Sequence, residues 1–332
     1  MRPAGTDVRK RLEILAGPPR LAEPSFAQDV ASGLGSDPKR LPSKYFYDEL
    51  GSALFDAITL LPEYYLTRAE TEILRQWGWE IVRALGNPVE FVELGSGSAV
   101  KTRILIEEAL RIQRTLHYSP IDISSEALRA SAEMLVERYP QLTVLAYAAD
   151  YFAVLRHGAL RRPGRVMAMF MGSNIGNYEP AQARELLRTL GAGLKSGDGI
   201  LLGADLKKDA RTLQLAYDDP AGVTAAFNKN LLGRINRELG GDFDLDRFRH
   251  VAEYDPGAGC VRSYLESQCG QLVRIEALQA AISFAPGERI HTESSYKFSE
   301  QDVRALARDC GLRLERSWLD AQERFSVNLL IC

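Results

Sequence analysis

The stretch Val89-Glu90-Phe91-Val92-Glu93-Leu94-Gly95-Ser96-Gly97-Ser98 constrains the fold more tightly than any other part of the chain. It reads as a short buried strand that breaks into a glycine turn, with a helix-competent run from Lys101 to Glu108 behind it. Glycines at such a turn let the backbone pass close to a ligand where a Cβ would collide. Further on, His117 to Ser124 reads as a second strand leading to Asp122. A carboxylate there can accept hydrogen bonds from both hydroxyls of a ribose. Strand, glycine turn, helix, strand and acid outline an α/β domain that binds a nucleoside.

The turn also discriminates among nucleosides. A dinucleotide site asks for Gly-x-Gly-x-x-Gly, and the third glycine position here is Val100. The Gly-x-x-x-x-Gly-Lys-Ser/Thr of a phosphate loop is absent as well. Glu-x-Gly-x-Gly with an acid ending the next strand fits S-adenosylmethionine, which has no phosphate. Glu93 is awkward beside a pyrophosphate but tolerable beside a sulfonium and an amino group. A tight βα turn in any α/β protein shares this outline, so the segment alone leaves both readings open.

Around this motif the chain alternates. Strands are expected at 89–94, 117–122, 143–147, 165–171 and 198–204, each followed by a helical or loop stretch. Such alternation gives a parallel sheet with helices on both faces. A helix from Thr67 to Leu85 has Thr67 as its N-cap and an apolar stripe at Ile73, Leu74, Trp77, Ile81 and Leu85. Past Asp205 the pattern changes. Lys207 to Arg237 reads as consecutive helices with a polar interruption at Asn228-Lys229-Asn230, and 260–268, 270–276 and 279–284 read as antiparallel strands. After Phe298, a helix from Glu300 to Cys310 and strands Leu312–Trp318 and Phe325–Ile331 return to α/β character. The expected architecture is a Rossmann-like α/β sheet domain, 70–205 and 297–332, with an inserted α+β substrate-binding domain, 206–296, that also uses the N-terminal segment 15–69. The insertion and the aromatic N-terminal part would form a lid beside the cofactor.

Composition narrows the partners. Of 332 residues, 45% are hydrophobic and 26% charged, ordinary for a globular protein. A net charge of -3 implies no broad basic surface for nucleic acid or anionic lipid. No apolar run is long enough to span a bilayer, and residues 1–7 read as a frayed terminus rather than a signal peptide. Cys260, Cys269, Cys310 and Cys332 form no Cys-x-x-Cys pair and do not cluster with the four histidines at metal-ligand spacing. A monomer in a reducing cytoplasm, with no metal, is the expectation.

Four further segments carry chemistry. Residues 165–177 run from a strand into a loop with two glycines and two asparagines, so Asn174 and Asn177 present amides at the carboxyl end of the sheet. Turn chemistry alone can also account for these residues. Tyr64 and Tyr65 precede a helix; one is expected to pack and the other to offer its hydroxyl, although an aromatic staple at a helix entry has the same sequence. Tyr217 reads as a half-buried helix residue. Alternation puts Glu293, Ser295 and Lys297 on one face of an extended stretch, where acid, hydroxyl and amine can read a polar substrate or line a solvated edge.

Taken together these segments resemble the histidine Nα-methyltransferases of ergothioneine biosynthesis. The run from Pro42 to Arg68 resembles that family's N-terminal signature. Glu93 to Ser98 with Lys101 to Arg103, Gly172 to Asn177, Asn228 to Asn236, and Thr292 to Phe298 resemble further motifs of the same family, so that the likeness extends from about Leu41 to the end of the chain. The resemblance implies a class I methyltransferase sheet and trimethylation of the α-amine of histidine to hercynine. It also implies roles. Gly95, Lys101, Asp122, Asp150 and Tyr151 fall where the family holds S-adenosylmethionine, with Asp122 on the ribose, Asp150 and Tyr151 at the adenine, and Tyr47 near the methionine end. Tyr64, Asn177 and Tyr217 fall where it holds the amino and carboxylate groups of the amino acid, and Glu293 and Ser295 where it reads the imidazole. One departure bears on substrate: Arg262 and Ser263 stand where the family places Glu-Met, leaving more room beside the ring. The alternatives are the same chemistry on another amino acid, such as a tryptophan derivative, or a family member without turnover.

Overall fold

The computed structural model describes residues 11–16, 24–156 and 164–332. The residues 1–7 read as a frayed terminus lie outside those described. Among the described residues, those within Met1–Leu21, Arg68–Leu206 and Phe298–Cys332 form one compact unit, and those within Ala22–Thr67 and Lys207–Lys297 form a second.

The first unit is built on an eight-stranded sheet. Its order is Leu12–Ala16, Leu142–Ala148, Leu116–Asp122, Val89–Leu94, Arg165–Phe170, Gly199–Asp205, Phe325–Ile331, Arg313–Leu319. The first six strands run parallel, and Phe325–Ile331 is antiparallel to both neighbours. Gly199–Asp205 is buried along its whole length, the signature of a strand covered on both faces by helices. Residues such as Ile121, Phe170, Leu187, Leu202 and Leu330 pack into one core around it. Strand order reverses at Val89–Leu94, since both of its neighbours come later in the chain. In open α/β sheets the crevice outside the carboxyl ends at such a point is where ligands bind.

The second unit holds a four-stranded sheet in the order Lys39–Arg40, Arg289–Tyr296, Cys260–Ser267, Phe248–Asp255, and a separate hairpin of Gln271–Ile275 with Ala280–Phe284. Phe46, Phe227, Phe248, Leu265 and Ile290 are part of its core.

Several expectations are corrected. The strands expected near 260, 270 and 280 are present and antiparallel, but in two sheets: Cys260–Ser267 pairs with Arg289–Tyr296 and Phe248–Asp255, strands the sequence reading did not name, and the other two form the hairpin. Thr67 is not an N-cap, because the helix begins a residue earlier, as Leu66–Arg83. Asn228 and Asn230 do not interrupt a helix but lie buried inside Val223–Leu239. The break falls at 218–222 instead. Both amides find partners outside the helix: Asn228 Nδ2 lies 3.1 Å from the Tyr264 carbonyl, and Asn230 Nδ2 donates to Asp48 Oδ1 at 2.7 Å. Buried amide N–H groups satisfied this way need not disturb a helix.

Candidate active site

In the first unit the glycine turn is held from several sides. The Gly95 N–H donates to the Ile121 carbonyl at 2.8 Å. Gly95 and Gly97 adopt φ of +70° and +48°, a region side chains disfavour. A Cβ on Gly97 would meet nothing within 4 Å, so the turn offers bare backbone beside open space. Asp122, closing its strand, accepts the Gly97 N–H at Oδ2 and the Ser124 N–H at Oδ1, each at 2.9 Å. The Ser96 hydroxyl is buried with no hydrogen-bond partner among the described residues. An orphaned hydroxyl, bare backbone and a carboxylate with lone pairs to spare fit a nucleoside ligand.

Around the turn, Lys101 pairs with the fully buried Glu70, whose other oxygen accepts the Gly172 N–H at 2.8 Å. The absence of a Cβ on Gly203 gives the Glu70 carboxylate its room. Lys101 keeps 27% of its side chain exposed. Asp150 accepts the Ala153 N–H at 3.2 Å, and the Tyr151 ring packs 6.0 Å from Phe170. Asn177 ends the 3-10 turn Asn174–Asn177, half-buried, just past Arg165–Phe170. The sheet thus gathers Gly95, Lys101, Asp122, Asp150, Tyr151 and Asn177 around the carboxyl ends of its parallel strands.

Glu93, just before the turn, is buried and accepts from Thr102 and Tyr118. Burial pushes its carboxyl up to about 7, against the lowering pull of those two hydrogen bonds. Three residues of this region escaped sequence reasoning. Val100 and Ile123 are apolar yet 61% and 50% exposed beside the turn and Asp122. The one available signal was an apolar residue following a motif. Glu70 had none, since its partner groups lie far along the chain.

In the second unit a polar cluster surrounds the end of helix Ala210–Tyr217. Tyr217 Oη and Ser295 Oγ lie 2.8 Å apart, and Lys297 Nζ donates to both, at 2.6 and 2.8 Å. Behind them His250 is wedged between Asn228 and the Tyr217 carbonyl, with 2.8 Å contacts at each ring nitrogen. Burial lowers the His250 pKa, so the neutral ring accepts from the Asn228 amide and donates to the carbonyl. Glu293 lies on the same strand as Ser295, directly opposite the buried Ser263. Burial raises its carboxyl to about 7, and the charge of Lys297 pulls the other way. Tyr47 belongs to this unit: 43% of the residue is exposed, and the surroundings of its hydroxyl, with Glu293 and Tyr217 adding to them, push its pKa up. Its ring packs edge-on to Phe55 and Phe227. Tyr64 is half-buried with its ring 6.1 Å from Phe55. Tyr65 is the packed member of the pair, though its hydroxyl accepts from Lys208 at 2.6 Å.

The reversed strand order, the glycine turn and the carboxylate after it define a Rossmann-like class I methyltransferase that uses S-adenosylmethionine. The chain belongs to the S-adenosylmethionine-dependent, histidine-specific methyltransferase family, whose model matches residues 26–332. It is 42% identical to the histidine N-alpha-methyltransferase of Mycolicibacterium smegmatis over 310 residues, 93% of this chain and 96% of that protein. With the histidine N-alpha-methyltransferase of Mycobacterium tuberculosis it shares 43% over 306 residues, 92% and 94% of the two chains. It is also 30% identical to ergothioneine biosynthesis protein 1 of Schizosaccharomyces pombe, across 80% of this chain and 35% of that longer protein.

Proposed function

We propose that this chain trimethylates the α-amino group of L-histidine to hercynine, the first step of ergothioneine biosynthesis, acting as a cytoplasmic monomer. The family match and the names of two relatives above 40% identity support the substrate. The observation that carries the reading is Glu293 with Ser295 on one strand beside Tyr217. A carboxylate accepts from an imidazole N–H, and a hydroxyl serves the other ring nitrogen.

In the first unit we assign Asp122 to the ribose, Asp150 and Tyr151 to the adenine, and Gly95 and Lys101 to the rest of the donor. Tyr47 is assigned to its methionine end, and Asn177 to the substrate's amino group. In the second unit Tyr64 and Tyr217 take the amino and carboxylate groups. S-adenosylmethionine supplies a methyl carbon with its leaving group already attached. The protein's task is to hold a neutral amine in line with that carbon. A free amino acid is mostly ammonium near neutral pH, so a proton must leave before each transfer, and water can take it. Successive methyls build a permanent cation, which an aromatic face stabilises. Tyr64 suits this better than Tyr217, because Lys297 Nζ already lies 4.4 Å from the Tyr217 ring centroid.

The reading is tested by Glu293→Ala. Activity on histidine should fall, and discrimination against apolar aromatic amino acids should relax, because the variant lacks a charge such side chains leave unpaired. Unchanged rate and selectivity would overturn the assignment.

A further inference from the structure

We propose that Lys297 is a positioning residue of the amino-acid site: with Lys297 and Tyr217 both donating to Ser295 Oγ, the Ser295 hydroxyl is left to act as a donor, and this decides which substrate atom it binds. The inference rests on the reading of Tyr217 and Ser295 as substrate-binding residues.

Lys297 is 3% exposed, and its backbone is tied down by a 2.7 Å hydrogen bond from its N–H to the Gly259 carbonyl. Its ammonium closes a triangle with the two hydroxyls, the sides being 2.6, 2.8 and 2.8 Å. An ammonium has donors and no acceptor. Each hydroxyl oxygen therefore accepts from Lys297, and one hydroxyl hydrogen fills the Tyr217–Ser295 contact; with Tyr217 as that donor, Ser295 Oγ accepts twice and its own hydrogen points to a third group. Without the cation Ser295 Oγ keeps a free lone pair and could accept instead.

This direction matters for what is read. A donor at Ser295 suits the lone pair of an imidazole nitrogen, while Glu293 on the same strand face suits the ring N–H. A neutral imidazole has one of each, whereas an imidazolium has two donors. The arrangement thus selects the neutral ring in one tautomer. Lys297 also offsets the burial of Glu293, keeping that carboxylate available as the acceptor.

The test is a Lys297→Met enzyme, alone and combined with Ser295→Ala, with histidine KM and S-adenosylhomocysteine affinity measured for each. The histidine KM should rise about tenfold or more, the scale of a lost charge-assisted hydrogen bond, while S-adenosylhomocysteine affinity stays unchanged. Ser295→Ala should then add less than about threefold in the Lys297→Met background, although it is costly in the parent, because both act through one hydroxyl. A KM within about threefold of the parent's, or full additivity of the two changes, overturns the proposal. Should Lys297→Met fail to fold, Lys297→Gln carries the same expectation, since its amide oxygen can accept from a hydroxyl. If Ser295→Ala and Tyr217→Phe each leave the histidine KM unchanged, the substrate reading itself falls, and this inference falls with it.

Discussion

Replacing Asp122 by alanine removes two kinds of hydrogen bond at once. The first kind is internal: the Gly97 and Ser124 N–H groups, each 2.9 Å from a carboxylate oxygen, lose their acceptor and the glycine turn loosens. The second kind is to the ligand. Each carboxylate oxygen accepts about two hydrogen bonds, so one site on each remains for a ribose hydroxyl. Two such bonds to a charged acceptor, at about 1.5 kcal/mol each, give ~3 kcal/mol, or roughly a hundredfold in Kd. The fold should survive, because Asp122 is only half-buried and ends its strand. Calorimetric titration with S-adenosylhomocysteine reads the loss, with the thermal midpoint as control. Asp122→Asn should recover only part of it, because its amide turns a donor toward a backbone N–H. A variant that binds within about threefold of the parent with its midpoint intact would refute the ribose assignment and the arithmetic together.

Asn177→Ala and Tyr217→Phe should each raise the Michaelis constant for the amino acid far more than that for S-adenosylmethionine; equal effects on both would point to a folding role. Glu293 titrates near 7 because burial raises it, and only its ionised form accepts from an imidazole N–H. kcat/KM for histidine should therefore fall as pH drops below about 7, and Glu293→Gln should lack that component while keeping the limbs due to the substrate's own groups. For stability the sign is opposite. A carboxyl raised in the fold contributes stability fully present below its unfolded value of 4.5 and lost as pH rises through about 7, so Glu293→Gln should flatten the thermal midpoint of the ligand-free protein across that window.

What the sequence displayed was chemistry that is local along the chain. The glycine turn and Asp122 are legible because strand, turn and acid follow one another within one βαβ unit, and the structure finds both where the pattern puts them. Glu293, Ser295 and Lys297 share a face because side chains alternate along a strand, even with the register shift between His291 and Glu293. What stayed hidden depends on long-range partners. Glu70 acquires its meaning from Lys101 and Gly172, and His250 from Asn228 and Tyr217. Asn228 and Asn230 read as an interruption because their partners at His250 and Asp48 cannot be seen from the helix itself. The Leu12–Ala16 strand was missed because five residues without a turn signal are strand only once Leu142–Ala148 lies beside them.

Whether histidine is the methyl acceptor is decided by the identity of the product. The protein would be incubated with S-adenosylmethionine carrying an isotopically labelled methyl and, separately, with each standard amino acid and a prenylated tryptophan, and the products read by mass spectrometry. The expected product is histidine carrying three labelled methyls on its α-nitrogen, with S-adenosylhomocysteine released in step. Untouched histidine beside a methylated tryptophan derivative, or no S-adenosylhomocysteine from any acceptor, would contradict it.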